Sequence, residues 1–195
     1  MCAHRVFLCQ AAAPVKLLLM RDDILMPNTG QWFERKFEFN FPTELYPNLR
    51  VRLRGTPARV EEMLNGVPRD RLVARRDEKW TIQEQVGHLL DLESLWSTRV
   101  DDFTESKPQL TAADLQNRKT HEANHNAKNI AELLKQFRTA RTALATSLDL
   151  LDHAVFSQPL LHPRLQQPLR LVDHLYFVAE HDDHHLAKIW AALHS

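Results

Sequence analysis

The chain has 195 residues, with four glycines, ten prolines and two cysteines, and its 25 lysines and arginines balance its 25 aspartates and glutamates. A chain of this length forms one domain that buries a core without disulfide bonds. The zero net charge and the lack of long runs of like charge disfavour binding to nucleic acid or to a membrane surface. The apolar runs are also shorter than the roughly 20 residues needed to span a bilayer.

The first 34 residues are predicted to be a poorly ordered extension, and residues 35–195 to form the folded domain. The cysteines, Cys2 and Cys9, both lie in this extension. The thiol-free remainder suits the reducing cytoplasm, so we expect a cytoplasmic protein. The apolar segment near the start is interrupted by polar residues and proline, and it is a poor match to a signal peptide.

The first predicted helix begins at Thr56 and Pro57. A threonine N-cap followed by proline at the first helical position is a typical helix start, and Val60 and Leu64 continue the apolar spacing. A short separate helical piece is predicted before it, ending at Gly55. The scarcity of glycine turns favours helices over hairpins throughout the chain.

Thr81 and Glu84 form a capping box that begins the second helix, which is predicted to end near Phe103. A long polar connection, residues 104–126, follows it, and connections of this length are often functional.

The third helix is predicted over about residues 127–150. Pro168 is predicted to begin the last helix, which runs to about residue 194. Amphipathic helices joined in this way predict an all-α protein with the architecture of a four-helix bundle.

Two histidine-rich stretches are candidate metal sites. The first, "HEANH", contains the zinc-protease pattern HExxH at His121, Glu122 and His125. Such a motif must lie on a helix that packs against a cleft, whereas here its neighbours are polar and no third ligand follows in register. We therefore interpret this match as a coincidence in a chain with 11 histidines.

The second stretch is "EHDDHH", within the last helix. His181 and His185 are four residues apart, so their rings lie one turn apart on the same face, at the border of the apolar arc. His184 is predicted to point about 60° away, toward the polar side. His174 shares the stripe but lies about 10 Å along the axis from His181, which makes it a pocket-lining candidate at most.

A third ligand is required from another helix, since catalytic zinc sites use three protein ligands and an open position. His88 of the second helix, on an apolar flank, is the candidate. The alternative is that His88 is a core-edge histidine bonded to a carbonyl. The tryptophans are interpreted as core or helix-end packing residues rather than platforms for a ligand.

The adjacent carboxylates Asp182 and Asp183 are interpreted as structural. Asp182 falls within the apolar arc and needs a partner, for which we predict an arginine of the first helical region, Arg50, Arg52 or Arg54. Asp183 is predicted to lie on the solvated face.

The segments "WTIQEQVGHLLDLE" and "LYFVAEHDDHHLAKI", in this order, resemble the DinB-like superfamily of metal-binding four-helix bundles. The resemblance covers roughly residues 35–195. It implies a divalent metal bound by His88, His181 and His185, the same three that the helical spacing selects. Asn124 and His125 also match the family pattern, which implies a place near the mouth of the metal pocket.

The resemblance implies metal-dependent hydrolysis or transfer of a low-molecular-weight thiol, because relatives include hydrolase-like proteins, bacillithiol transferases and a mycothiol-dependent maleylpyruvate isomerase. We expect a metal-dependent enzyme acting on a small molecule, with zinc or nickel as the metal. Glu84 and Asp91, one turn either side of His88, are candidates for a base or for a group that supports the ligand. The alternative is a non-catalytic stress-response bundle that the metal staples together. A homodimer is also predicted.

Overall fold

The computed structural model describes residues 30–195, which form a helical bundle with one small hairpin. Residues 1–29 of the predicted poorly ordered extension lie outside the described residues. Its last five residues, 30–34, are described and include a 3₁₀ turn, Trp32–Glu34, whose Trp32 ring packs 5.1 Å from that of Phe177. The elements in chain order are α1 (Tyr46–Leu64), α2 (Arg69–Leu72), α3 (Ile82–Thr104), α4 (Arg118–Glu122), α5 (Ile130–Leu148), β1 (Pro159–His162), β2 (Gln167–Arg170) and α6 (Leu171–Leu193). The prediction of an all-α four-helix bundle is confirmed in α1, α3, α5 and α6.

The four long helices pack so that α1 and α3 each contact both α5 and α6. Their apolar stripes meet in an interior that contains two apolar clusters, one of which includes the fully buried Val60, Val86, Phe137 and Ile189. Burying a side chain of this kind stabilises the fold by about 1.5–3 kcal/mol. No helix among the described residues is both long enough and apolar enough to cross a membrane.

The start of α3 follows the sequence prediction. The Thr81 hydroxyl accepts the amide N–H of Glu84 at 3.1 Å, and the Glu84 carboxylate accepts the amide N–H of Thr81 at 2.8 Å. This reciprocal pair satisfies two amides that the first turn of a helix leaves without partners. It also occupies Glu84, which further accepts hydrogen bonds from Arg75 and Asn126. Glu84 is therefore a capping residue, and we withdraw it as a candidate base.

The predicted start of the first helix is wrong, because α1 begins at Tyr46 and contains Pro57 in its interior. Proline has no N–H to bond the carbonyl four residues earlier, here that of Leu53. Arg141 of α5 replaces the missing donor, since its Nη1 donates to the Leu53 carbonyl at 3.1 Å. Thr56 is not an N-cap either, and its hydroxyl donates to Asp182 at 2.7 Å. A tertiary contact thus rescues a helix that the local sequence would end.

The last helix begins at Leu171 rather than at Pro168. Pro168 lies in β2 and pairs with Leu161 of β1 in an antiparallel hairpin. The turn contains Gln166 with φ 53°, a conformation usually taken by glycine. The absence of a glycine turn signal explains why the hairpin was not predicted from the sequence.

The predicted partner of Asp182 is also wrong. Asp182 is completely buried and binds Arg141, not an arginine of the first helical region. Asp183 lies near the surface, where it pairs with Arg52 and Arg59. Helical spacing places Asp182 inside the bundle correctly, but it does not show which helix supplies the compensating charge.

Candidate metal centre

Three imidazole rings meet where α3 and α6 pack together. His88 comes from the second turn of α3, and His181 and His185 stand one turn apart on α6. A nitrogen of each ring lies within 4.8 Å of the other two, and this is the one such group of three found within residues 30–195. The Nε2 atoms of His181 and His185 are 3.1 Å apart, close to the roughly 3.3 Å expected between two nitrogens bound tetrahedrally to zinc at about 2.0–2.1 Å.

Gln85 determines which nitrogen of His185 carries the proton. The Gln85 amide oxygen lies 2.6 Å from Nδ1 of His185. A carbonyl oxygen only accepts hydrogen bonds, so Nδ1 must be the protonated nitrogen. Nε2 of His185 then carries the lone pair, and it faces Nε2 of His181.

A chain of hydrogen bonds fixes the tautomer of His88 in the same way. Asp91 accepts the hydroxyl of Thr120 at 2.9 Å and Nε2–H of His125 at 2.8 Å. Because the only hydroxyl proton of Thr120 goes to this carboxylate, its oxygen accepts Nδ1–H of His88 at 3.0 Å. His88 therefore offers the lone pair of Nε2. Metal-binding histidines are commonly oriented by partners of this kind.

Asp91 is the charged end of this chain. Burial opposes its ionisation, but the hydrogen bonds from His125 and Thr120 outweigh burial and lower the pKa of the carboxyl group below its usual value. Asp91 is therefore an acceptor at neutral pH, which is the state that the hydrogen-bond directions require. It acts on the ring trio through Thr120 rather than as a fourth ligand.

Gly87 provides the space in which His125 packs against α3. A Cβ atom at this position would lie less than 3.0 Å from three atoms of the His125 ring. Real Cβ contacts essentially never come so close, and the contacting ring is held by Asp91. A glycine beside His88 thus lets a residue of the polar connection reach the carboxylate behind this candidate ligand.

Burial keeps the three rings neutral. Desolvation lowers the pKa of His88 to about 4, with Lys188 and neighbouring imidazoles adding to the shift. Desolvation and the neighbouring histidines lower the pKa values of His181 and His185 well below the ordinary value. Neutral imidazole is the form that binds a divalent cation, so the trio needs no deprotonation at neutral pH.

The trio lines the wall of an open cavity of about 1470 Å³. Aromatic rings surround it: that of Trp80 lies 4.7 Å from the His88 ring, and those of Trp32 and Trp96 lie 5.0 and 5.7 Å from the His181 ring. A ligand can thus reach the histidines through a mostly apolar space. The tryptophans, interpreted from the sequence as packing residues, form part of this wall.

Comparison with known proteins agrees with this architecture. The family model of the DinB superfamily matches residues 52–189, which include all three histidines. The chain belongs to the DinB superfamily. No curated protein sequence matches the chain directly.

Two solved structures show the same fold. YfiT from Bacillus subtilis, a probable metal-dependent hydrolase with an unusual four-helix bundle topology, superposes with a TM-score of 0.71 at 20% identity, covering 82% of this chain and 91% of YfiT. The mycothiol-dependent maleylpyruvate isomerase superposes with a TM-score of 0.59 at 12% identity, covering 75% of this chain and 60% of the isomerase. At these identities the likeness establishes the bundle, while the chemistry must be argued from the site.

The HExxH match does not form a zinc-protease site in this DinB-superfamily chain. Helix α4 ends at Glu122, and Asn124 adopts a left-handed conformation with φ 46° before a separate 3₁₀ turn. His121 and His125 therefore do not share a helix face. His121 is exposed, whereas His125 is buried against Asp91.

The remaining candidates lie outside the cavity wall. Asp91 and His125 stand behind His88, in the supporting chain already described. Asn124 is an exposed turn residue and does not line the cavity. His174 is completely buried between Trp96 and Phe103 at ring distances of 5.7 and 6.0 Å. It belongs to the core rather than to the pocket, because the axial distance from His181 places it beneath the site.

His184 shows where helical spacing alone is insufficient. It was predicted to face the polar side, yet it is only 4% exposed. The indole of Trp32, from the segment preceding α1, packs 5.6 Å from its ring and covers it. Sequence reasoning also missed Gln85 and Thr120. Gln85 could have been found from its position one turn before His88, whereas nothing in the polar connection singles out Thr120.

Proposed function

We propose that this chain is a metal-dependent enzyme that acts on a small molecule, with a divalent ion bound by His88, His181 and His185. The observation that carries the proposal is the convergence of three neutral imidazoles, two of them oriented by hydrogen bonds, on the wall of a large open cavity. Structural zinc sites usually have four protein ligands, and catalytic sites have three and an open position. The three-ligand set found among residues 30–195 therefore favours catalysis over a purely structural role.

The donor set suits zinc or nickel, which we propose as the metal. Imidazole is a good ligand for both, and the lone pairs of His88 and His185 are freed by hydrogen bonds at the opposite ring nitrogens. A divalent ion at this place would lower the pKa of a water molecule or thiol that binds it. The chain itself contributes the fixed ring orientations and the aromatic wall that restricts water around a bound substrate.

Two reactions fit this site, and the relatives illustrate both. YfiT is a probable metal-dependent hydrolase, and the isomerase is mycothiol-dependent. The cavity of about 1470 Å³ exceeds the roughly 300–1,000 Å³ typical of small-molecule sites, so it has room for a low-molecular-weight thiol beside an electrophilic substrate. We therefore place thiol transfer first and hydrolysis second.

The competing proposal is a non-catalytic stress-response bundle in which the metal fastens α3 to α6. A fourth, carboxylate ligand would support it. The carboxylate one turn after His88, that of Asp91, is already engaged by Thr120 and His125. A structural metal would also make the fold depend on the ion, since the binding energy of such a metal is folding energy.

The test combines metal analysis with a reaction screen. Tag-free protein is analysed for metal content, then assayed with a chromogenic aryl halide and a panel of low-molecular-weight thiols, and separately with chromogenic esters. We expect one metal equivalent, activity in one assay, and loss of both in His181→Ala with helical circular dichroism retained. An active His181→Ala protein, or a wild type that unfolds when chelated at room temperature, would refute the proposal.

We also propose a cytoplasmic location, which the thiol-free sequence after Cys9 supports. The homodimer stays a prediction, and analytical ultracentrifugation of the metal-loaded protein tests it. Nothing in the charge balance of the sequence supports binding to nucleic acid or membrane.

A further inference from the structure

Two arginines on the cavity wall have no carboxylate partner within the described part of the chain. Arg99 of α3 and Arg164 of the β1–β2 turn both line the cavity, and neither forms an ion pair within 4.0 Å. The Arg99 side chain is nevertheless only 1% exposed. A buried cation is usually paired, and burial lowers the pKa of Arg99 to about 10 and that of Arg164 below its usual range.

The hydrogen-bonding groups of the two guanidinium ions are only partly used. Arg99 Nε donates to the Thr111 carbonyl at 2.9 Å, while its Nη2 has no partner among residues 30–195. Arg164 Nη1 reaches the Phe33 carbonyl at 3.5 Å, and its Nη2 is buried without any hydrogen bond to the described residues. Each arginine thus keeps at least one donor without an acceptor among the described residues.

His162 lies between these two arginines and adds a third donor. Its Nδ1 accepts the backbone N–H groups of Arg164 and Leu165, each at 3.2 Å. Burial and the two arginines lower the pKa of His162 to about 3, so the ring is neutral and its single proton resides on Nε2. That atom lies 3.2 Å from Arg99 Nη1. Both nitrogen atoms are then hydrogen-bond donors, so neither can accept from the other and both need an acceptor.

The nearby carboxylates do not supply this acceptor. Asp102 stabilises the charge of Arg99 through space, but its oxygens are taken by Lys107, at 2.8 Å, and by the amide N–H of Thr111, at 2.6 Å. Asp114 lines the cavity and pairs with Arg118. The region therefore has an excess of positive charge and of unused N–H donors.

This donor cluster faces the same space as the histidine trio. The ring of Trp96 stands between them, 5.6 Å from the Arg99 guanidinium carbon and 5.7 Å from the His181 ring. On the Arg164 side, the ring of Phe177 lies 5.6 Å from the guanidinium carbon. A group bound by the arginines would leave the rest of a small molecule to extend along this aromatic wall toward the trio.

We infer that Arg99, Arg164 and His162 form an oxyanion subsite, which binds a carboxylate or phosphate group of the small-molecule substrate. The inference rests on the proposed function, because it names the substrate class of the same cavity. Guanidinium groups bind both kinds of oxyanion through paired N–H donors. His162 supplies a neutral donor that adds no further charge.

The test is calorimetric titration of succinate and of inorganic phosphate, each into zinc-loaded and EDTA-treated protein in low-chloride buffer. The variants are Arg164→Met, Arg164→Lys, and the control Arg138→Met, whose arginine pairs with Glu61 on the surface. We expect at least tenfold weaker binding of the preferred anion in Arg164→Met, a smaller loss in Arg164→Lys, and no change in Arg138→Met. The preferred anion identifies the group as carboxylate or phosphate.

Zinc content, measured on the same samples, separates this inference from the proposed function. A wild type that binds an anion through Arg164 but no zinc would support the subsite and refute the metal proposal. Three results would overturn the subsite: no binding of either anion to wild type, equal binding by Arg164→Met and Arg138→Met, or binding that requires zinc and ignores Arg164→Met. The last result would mean that the anion is a ligand of the metal.

Discussion

Replacing Thr120 by valine tests whether the hydrogen-bond chain behind His88 supports the metal. Valine has nearly the shape of threonine, so the change removes the hydroxyl group without opening a cavity. Two hydrogen bonds disappear: the one accepted from His88 Nδ1 at 3.0 Å and the one donated to Asp91 at 2.9 Å. Nothing then selects the His88 tautomer whose Nε2 faces the other two rings.

The expected loss in zinc affinity is 10- to 100-fold, the range typical for partners of metal-binding histidines. This range corresponds to about 1.4–2.7 kcal/mol. The metal-free protein should also lose about 1–3 kcal/mol of stability, because Nδ1–H of the buried His88 is left without an acceptor. Thr120→Val should therefore change both zinc binding and folding, in amounts that two separate measurements can resolve.

Zinc affinity is measured by competition with a chromophoric chelator, and stability by urea unfolding of the chelated protein. The matched control is Thr56→Val, since Thr56 is also buried and its hydroxyl likewise donates to a carboxylate, that of Asp182, at 2.7 Å. We expect it to lose stability but to keep wild-type zinc affinity. If Thr120→Val binds zinc as tightly as Thr56→Val does, the orienting role assigned to this chain is wrong.

The remaining predictions concern the metal, the motif, the glycine and acid. Chelation should leave helical circular dichroism intact. It should lower the free energy of unfolding only by the amount that zinc binding adds to it, about 4 kcal/mol at free zinc 1,000 times above the dissociation constant. Unfolding to a random coil would instead mean a structural metal. His121→Ala should keep one equivalent of zinc by elemental analysis. Loss of the whole equivalent would instead indicate that the HExxH motif binds the zinc. Gly87→Ala should displace the His125 ring and weaken zinc binding in the chelator assay, whereas Gly55→Ala, with open space around it, should not. Burial lowers the pKa of His88 to about 4, below the value near 6.5 in the unfolded chain. The stability of the metal-free protein should therefore be constant above pH 6.5 and fall below it, by up to about 1.4 kcal/mol per pH unit per histidine. Unfolding midpoints that stay flat from pH 7 to 5 would contradict this prediction.

The parts of the site that follow helical periodicity were predictable. His181 and His185 share a face because they are four residues apart, and His88 lies on an apolar flank of a helix with a clear capping box. These are local properties, and each follows from the 3.6-residue repeat. The same reasoning identified the bundle, since amphipathic stripes of this length must pack against one another.

The parts that depend on contacts between distant segments were not predictable in this way. Thr120 and His125 reach Asp91 from a polar connection with no periodicity, and Trp32 covers His184 from outside the four helices. Pro57 leaves the carbonyl of Leu53 without its helical donor, and Arg141 supplies a donor instead. The local sequence contains no sign of this contact, so it predicts a helix start at Pro57. In each case, tertiary structure supplied a partner that local preferences do not encode.

That same arginine explains why the bundle should not depend on the proposed metal. The Arg141 side chain, from α5, donates to Glu93 of α3 at 2.6 and 3.0 Å, to Asp182 of α6 at 3.1 Å, and to the Leu53 carbonyl of α1 at 3.1 Å. One buried guanidinium thus joins all four long helices, and removing one partner of such a network typically costs about 3–5 kcal/mol. Because Asp182 directly follows His181, the network also fixes the position of α6 against α3 before any ion binds. A metal that binds as we propose would therefore meet a site that the protein has already assembled, which is the condition for an ion that supplies chemistry rather than structure.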